Sequence, residues 1–221
     1  MTKTVIYLHG FASSPGSKKA NFFKSHVEAT GATYLIPDLN QPDFQHLTLT
    51  AMLEKTAQTV NSCEDGDVYL VGSSMGGLTA THLLDRYKDN AAGRIKKAIL
   101  LAPAFDFMSN RNHSMGADWQ QKWRDAGSMP FFNYAVDGEV PVHYGLVEDV
   151  SQYDSYDANI DIPIQIFHGT NDESVDYQQS VRFAENRENV TLNLLDSDHQ
   201  LLDKTDLILQ TMLDFFDLSS N

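Results

Sequence analysis

The segment with the clearest chemical potential is Gly72-Ser73-Ser74-Met75-Gly76-Gly77. It lies between a short apolar run at 67–71 and a helical pattern at 75–87. A G-x-S-x-G pattern between strand and helix forms a tight turn that lifts a serine hydroxyl above the end of a sheet. The flanking glycines leave room for the backbones that cross there, and the helix N-terminus beneath adds partial positive charge and free N–H groups. The spacing selects Ser74 as nucleophile, because Ser73 lacks glycines on both sides.

A serine hydroxyl is a weak nucleophile near neutral pH and needs an adjacent base. For this turn the partners are expected in the order serine, acid, histidine. Asp172 follows the run at 162–167, and His199 follows the run at 191–195. His199 would take the serine proton, while Asp172 would set the imidazole tautomer and stabilise the imidazolium. Glu173, Asp176 and Asp106 stay open as rival acids; His168 reads as a strand-end support for the acid loop, and His82 and His9 as structural groups. Two backbone donors must face the developing oxyanion: the N–H of Met75 and that of Phe11, after the first strand. No His, Cys, Asp or Glu spacing suggests a metal site.

Positioning these residues requires a sheet whose strand ends converge. Strands are expected over 4–8, 33–36, 67–71, 97–101, 162–167 and 191–195, several of them apolar without interruption. Such runs suit strands covered on both faces. Helical patterns occupy 17–29, 44–62, 75–87, 175–186 and 204–216, where Leu207, Ile208, Met212, Leu213 and Phe216 form one stripe. The alternation predicts a mostly parallel sheet flanked by helices, with its site beyond the carboxyl ends of the strands. The stretch 104–157 breaks the rhythm and reads as a cap or lid within one domain spanning 1–221. Inside it, 112–126 looks helical, with Met115, Trp119 and Trp123 four apart, and 131–136 and 139–144 flank a two-residue Asp137-Gly138 hairpin turn.

Composition excludes other classes. The chain has 221 residues and a net charge of −14. That balance argues against nucleic acid, which requires clustered Lys and Arg. Cys63 is the only cysteine, so there is no internal disulfide framework. No run reaches the roughly 20 apolar residues of a membrane span or the about 7–15 of a signal h-region, so a cytoplasmic location is expected.

The chain resembles the α/β-hydrolases and is similar to the small YqiA-like bacterial esterases. The resemblance is carried by His9-Gly10-Phe11-Ala12-Ser13-Ser14-Pro15-Gly16-Ser17-Lys18-Lys19-Ala20, by Val71 to Gly77, by Gly169 to Tyr177, and around His199. It implies an α/β-hydrolase fold and hydrolysis of a small carboxylic ester or thioester, with no cofactor. It fades across 104–157, where acyl specificity would be decided. The aromatic and methionine residues there are expected to pack the lid and line an apolar pocket, with Phe105, Trp119 and Phe131 as candidate substrate contacts. Alternatives are C–C bond hydrolysis with the same triad, and a ligand-binding relative without catalysis; the presence of Ser74, Asp172 and His199 speaks against the latter. Ser13, Ser14, Ser17, Lys18 and Lys19 suit either an anion anchor or a Pro15-Gly16 turn with a Ser17 N-cap and solvated lysines; the second is expected. The oligomeric state has no sequence signal.

Overall fold

The structure, a computed structural model, describes residues 2–110, 116 and 118–218. In chain order its elements are β1 (Thr2–Leu8), α1 (Lys18–Glu28), β2 (Thr33–Leu35), α2 (Leu49–Ser62), β3 (Gly66–Ser73), α3 (Met75–Arg86), β4 (Ile95–Leu101), α4 (Trp119–Ala126), β5 (Ser128–Asn133), β6 (Gly138–His143), α5 (Gly145–Val150), β7 (Ile164–Gly169), α6 (Gln178–Ala184), β8 (Val190–Leu195) and α7 (Thr205–Phe215). Six strands form one sheet in the order β2-β1-β3-β4-β7-β8, and every neighbouring pair is parallel.

The uninterrupted apolar runs have a direct cause. Successive strand residues alternate between faces, and both faces are covered. Ile6, Leu8, Val68, Leu70, Ala98, Leu100, Ile164 and Ile166 join the core with α2, α3 and Phe183 of α6. Val5, Tyr7, Tyr69, Val71, Ile99 and Leu101 join a second core with Phe23 and Val27 of α1 and Ile208 and Met212 of α7. Leu207 does not belong to that stripe; it lies on the outer side of α7 and is exposed. The helix expected from residue 44 begins later, at Leu49, because the Thr48 hydroxyl caps the Ala51 N–H at 3.1 Å. Phe44 and Leu47 are buried all the same, packed into the core from the preceding loop.

Between β4 and β7 the chain leaves the sheet. Trp119 and Trp123 of α4 are buried, and the Trp123 indole donates to the Val142 carbonyl at 2.8 Å, tying α4 to β6. The expected helix at 112–126 is described only from Trp119; residues 111–115, Met115 among them, lie outside the described residues. The hairpin differs from expectation. Asn133 pairs with Gly138, so the loop runs over four residues rather than two, with Asp137 in the left-handed region and the Asn133 side chain accepting from Ala135 N–H at 2.8 Å. An Asx turn at Asn133, not the Asp137-Gly138 pair, reverses the chain. The hairpin is docked through Tyr134 N–H to the Ala12 carbonyl and His143 N–H to the Gln45 carbonyl, while Asp149 of α5 accepts from Thr50 at the start of α2. Among the described residues no helix is long and apolar enough to cross a membrane.

Candidate active site

Ser74 sits between β3 and α3 with φ 53° and ψ −114°, a conformation that L-residues rarely adopt. Its hydrogen bonds hold it there: the Ser74 N–H donates to the Leu101 carbonyl at 2.9 Å, and its own carbonyl accepts from Gly77 N–H at 2.9 Å and Ala104 N–H at 3.2 Å. The glycines are required by close approach. A Cβ on Gly72 would lie 2.4 Å from the Gly76 carbonyl oxygen, and one on Gly76 would lie 2.1 Å from the Leu8 carbonyl oxygen. Ser74 itself stays partly exposed.

The parallel sheet brings the loops after β7 and β8 beside this turn. His199 Nε2 is 3.1 Å from Ser74 Oγ, and His199 Nδ1 is 2.7 Å from Asp172 Oδ2. A carboxylate only accepts, so Nδ1 carries the proton and Nε2 is left to accept from the serine hydroxyl. The Asp172 side chain is fully buried, whereas His199 is a quarter exposed, at 25%. Burial alone would raise the Asp172 pKa. Hydrogen bonds from His168 and His199, the nearby His199 charge and the Val175 N–H outweigh it and hold the carboxyl well below the usual carboxylate range. Its Oδ1 accepts from the N–H groups of Ser174 and Val175, both at 2.8 Å.

Two of the rival acids are engaged elsewhere and the third faces solvent. Asp176 caps Gln178 N–H at 2.9 Å, Asp106 accepts from Ser109 N–H at 2.9 Å, and Glu173 is exposed. His168 is buried; its Nε2–H donates to Asp172 Oδ2 and to the Val175 carbonyl, both at 3.1 Å, and the Ser180 hydroxyl donates to its Nδ1 at 2.7 Å. His9 is also buried: its Nδ1–H donates to the Gly10 carbonyl at 3.0 Å and its Nε2 accepts from Leu39 N–H at 3.0 Å. Burial lowers its pKa, against opposing contributions from Gly10 and Asp38. A neutral His9 therefore braces the loop that carries Phe11. That loop abuts the serine, since a Cβ on Gly10 would lie 3.3 Å from Ser74 Cβ. Met75 opens α3 immediately after Ser74.

Of the three candidate substrate contacts, Phe131 packs against the loop that follows β1. It is partly exposed, its ring is 5.1 Å edge-on from that of Phe11, and it packs on Trp123 at 5.0 Å. Phe105 is buried, stacked on Phe183 at 4.1 Å, and Trp119 is buried against Trp123. As they stand, both build the core beneath the surface. Among the described residues no three His, Cys, Asp or Glu side chains are grouped to hold a metal ion.

Two features of the site carry little sequence signal. Asp198, beside His199, caps the turn after it: its Oδ1 accepts from Gln200 N–H at 2.9 Å and Leu201 N–H at 3.1 Å. Lys19 Nζ donates to the Gln200 carbonyl at 2.8 Å, linking α1 to the histidine loop. The Asx turn was readable in principle from the Ser197-Asp198 pair, but the lysine bond joins opposite ends of the chain.

A family model described as the uncharacterised protein family UPF0227 matches residues 4–217. The palmitoyl-protein thioesterase ABHD10, mitochondrial, of Rattus norvegicus is 22% identical over 230 residues, covering 96% of this chain and 75% of the rat protein. Among solved structures, α/β hydrolase domain-containing protein 10 from mouse superposes with a TM-score of 0.79 at 19% identity, covering 97% of this chain and 89% of that one. Est1E from Butyrivibrio proteoclasticus superposes with a TM-score of 0.75 at 22% identity, covering 97% and 86%, and has also been solved with ferulic acid bound. These likenesses, with the sheet order above, make the fold that of the α/β-hydrolases.

Proposed function

We propose that this chain, which belongs to the uncharacterised protein family UPF0227, is a serine hydrolase that cleaves a small carboxylic ester or thioester through an acyl-enzyme on Ser74. One observation carries the reading: on a strained turn, Ser74 Oγ is 3.1 Å from His199 Nε2, whose other nitrogen is 2.7 Å from the buried Asp172 carboxylate. Nucleophile, base and orienting acid then stand in hydrogen-bond reach in one line.

In the first half-reaction Ser74 Oγ bonds to the acyl carbon while its proton passes to His199 Nε2. The carbonyl π electrons move onto oxygen, where the N–H groups of Met75 and Phe11 are assigned as donors. Collapse of this intermediate breaks the bond to the alcohol or thiol, and His199 returns the proton to the leaving group. In the second half a water gives its proton to His199 and attacks the acyl-serine; the acid leaves and Ser74 regains its proton. Asp172 stays ionised throughout and stabilises the imidazolium. The mechanism calls on no metal or cofactor.

Residues 104–157 serve in this reading as the lid, with Phe131 its contact with the acyl group and Phe105 and Trp119 holding it together. The names of the relatives support the choice of bond: a thioesterase acting on palmitoyl-protein, and a protein that takes ferulic acid. A net charge of −14 makes a nucleic-acid substrate unfavourable. Turnover of p-nitrophenyl esters from acetyl to decanoyl, alongside acyl-CoA thioesters, tests the proposal. Activity on at least one series that disappears in Ser74→Ala is expected; an inactive protein on both series would overturn it.

A further inference from the structure

The segment from Ser13 to Lys19 admits an anion anchor or a solvated turn, and the structure supports neither for Lys19. Ser17 caps α1 as a solvated turn requires, its hydroxyl accepting from Ala20 N–H at 3.4 Å. Lys19 is only partly exposed and its ammonium turns inward, 2.8 Å from the Gln200 carbonyl oxygen. Gln200 is the residue after His199. Its N–H is taken by Asp198 and its carbonyl by Lys19, so the peptide groups flanking Gln200 are clamped from two sides. Leu201, the next residue, is held at φ 54°, a conformation that side chains rarely adopt and that such a clamp can maintain.

We propose that Lys19 is a positioning residue for His199: it ties the start of α1 to the histidine loop through the Gln200 carbonyl and so holds His199 within reach of Ser74. The proposal rests on the reading of Ser74 and His199 as nucleophile and base. The charged groups around Lys19 are Asp198 and Asp172, beside His199. The remaining carboxylates of the loop are engaged elsewhere: Asp196 accepts from the Asn171 amide, and Asp203 accepts from Ser197 and pairs with Lys204. Lys19 thus lies beside two of the carboxylates that border the histidine loop. Burial draws its ammonium down to about 8, although Asp198 and Asp172 both oppose this.

The test is kcat and KM on p-nitrophenyl acetate for the full-length wild type, Lys19→Met and Lys19→Arg. Lys19→Met keeps the aliphatic stem and removes the donor and the charge. Its kcat/KM is expected to fall about tenfold or more, since displacement of a base by a fraction of an ångström is costly. The loss is expected in kcat, with KM within about threefold of wild type, because the displaced base acts on the bound ester and does not hold it. Lys19→Arg, which keeps a charged donor, should recover most of the lost kcat. Lys19→Gln, which also removes the charge, carries the same test if Lys19→Met does not fold. Undiminished kcat in the uncharged variants, a loss carried by KM alone, or a loss that Lys19→Arg does not restore overturns the proposal. Loss of fold in both uncharged variants overturns it as well, by making Lys19 a folding residue. The underlying reading fails separately, and visibly, if the wild type itself neither hydrolyses the ester nor is labelled by a fluorophosphonate at Ser74.

Discussion

His168 and His199 donate to the same atom, Oδ2 of Asp172, at 3.1 and 2.7 Å. One imidazole comes from the strand that precedes the acid and the other from the loop that follows the next strand. The carboxylate is fully buried, so leaving any of its acceptor sites empty would be expensive. His168 thus secures the acid from behind while leaving the His199 side open to the serine. Ser180 in turn secures His168.

Asp172→Asn should lower kcat by about 10³–10⁴-fold, because an amide donor in place of Oδ2 favours the wrong histidine tautomer. Glu173→Gln and Asp176→Asn should leave kcat within about threefold, since neither carboxylate faces His199 and the difference in barrier is then below about 1 kcal/mol. A collapse in Asp176→Asn with normal turnover in Asp172→Asn would reassign the acid.

The same carboxylate makes a signed prediction for stability. Its folded pKa lies below its unfolded value of about 3.9, so its stabilisation is complete above that value and is lost as pH falls through the folded pKa. Urea midpoints of wild type and Asp172→Asn should be furthest apart near neutrality and converge below about pH 4. A gap that widens on acidification would contradict the burial and hydrogen-bond account of Asp172.

Ser74→Ala and His199→Ala should each cost on the order of 10³-fold or more in kcat, and the double variant should be little worse than either alone. Residues that move one proton between them lose their function together. Multiplicative losses, measured in the same ester assay, would mean that the two act independently.

His82 gives a pH effect far from the reaction. It is buried, with Nε2–H donating to the Ser155 hydroxyl at 3.1 Å, and its pKa is drawn down to about 4, first by burial and then by Arg86, against Asp85 and Asp154. A folded pKa below the unfolded one means that stability is full above about 6.5 and declines as pH falls towards 4, by on the order of 3 kcal/mol. His82→Gln should flatten the urea-stability profile between those pH values. An unchanged slope in that variant would place the titrating group elsewhere.

Trp119→Ala and Phe131→Ala should separate packing from substrate contact. Trp119 is 1% exposed, so its loss should cost about 3–5 kcal/mol of stability and depress activity alike for all chain lengths. Phe131 is half-buried between Phe11 and Trp123, so its loss should lower the melting temperature less than that of Trp119 and should shift the preferred acyl length, each methylene being worth about 0.8 kcal/mol. Flat chain-length profiles in both would remove residues 104–157 from substrate selection.

The fold and the centre of the site were legible because they rest on local signals. The elbow is one contiguous motif, and a parallel sheet collects the residues after its strands at one edge, which is why Asp172 and His199 could be named before their distances were known. Burial that depends on distant partners was not legible. Phe105 lies in the core because Phe183 stacks on it, and Lys19 acts on a loop near the other end of the chain. The short helix Gly145–Val150 carried no periodic signal of useful length, and the hairpin turn was set by an Asn133 side chain rather than by the Asp137-Gly138 pair.

The most direct test of the account is the site of covalent labelling by a fluorophosphonate, read by mass spectrometry of the intact protein and of its peptides. The account predicts a single adduct on Ser74, formed rapidly in wild type, far more slowly in His199→Ala, and absent in Ser74→Ala. A wild-type protein that stays unlabelled, or that carries its adduct on Ser73, Ser155 or any other residue, would contradict it.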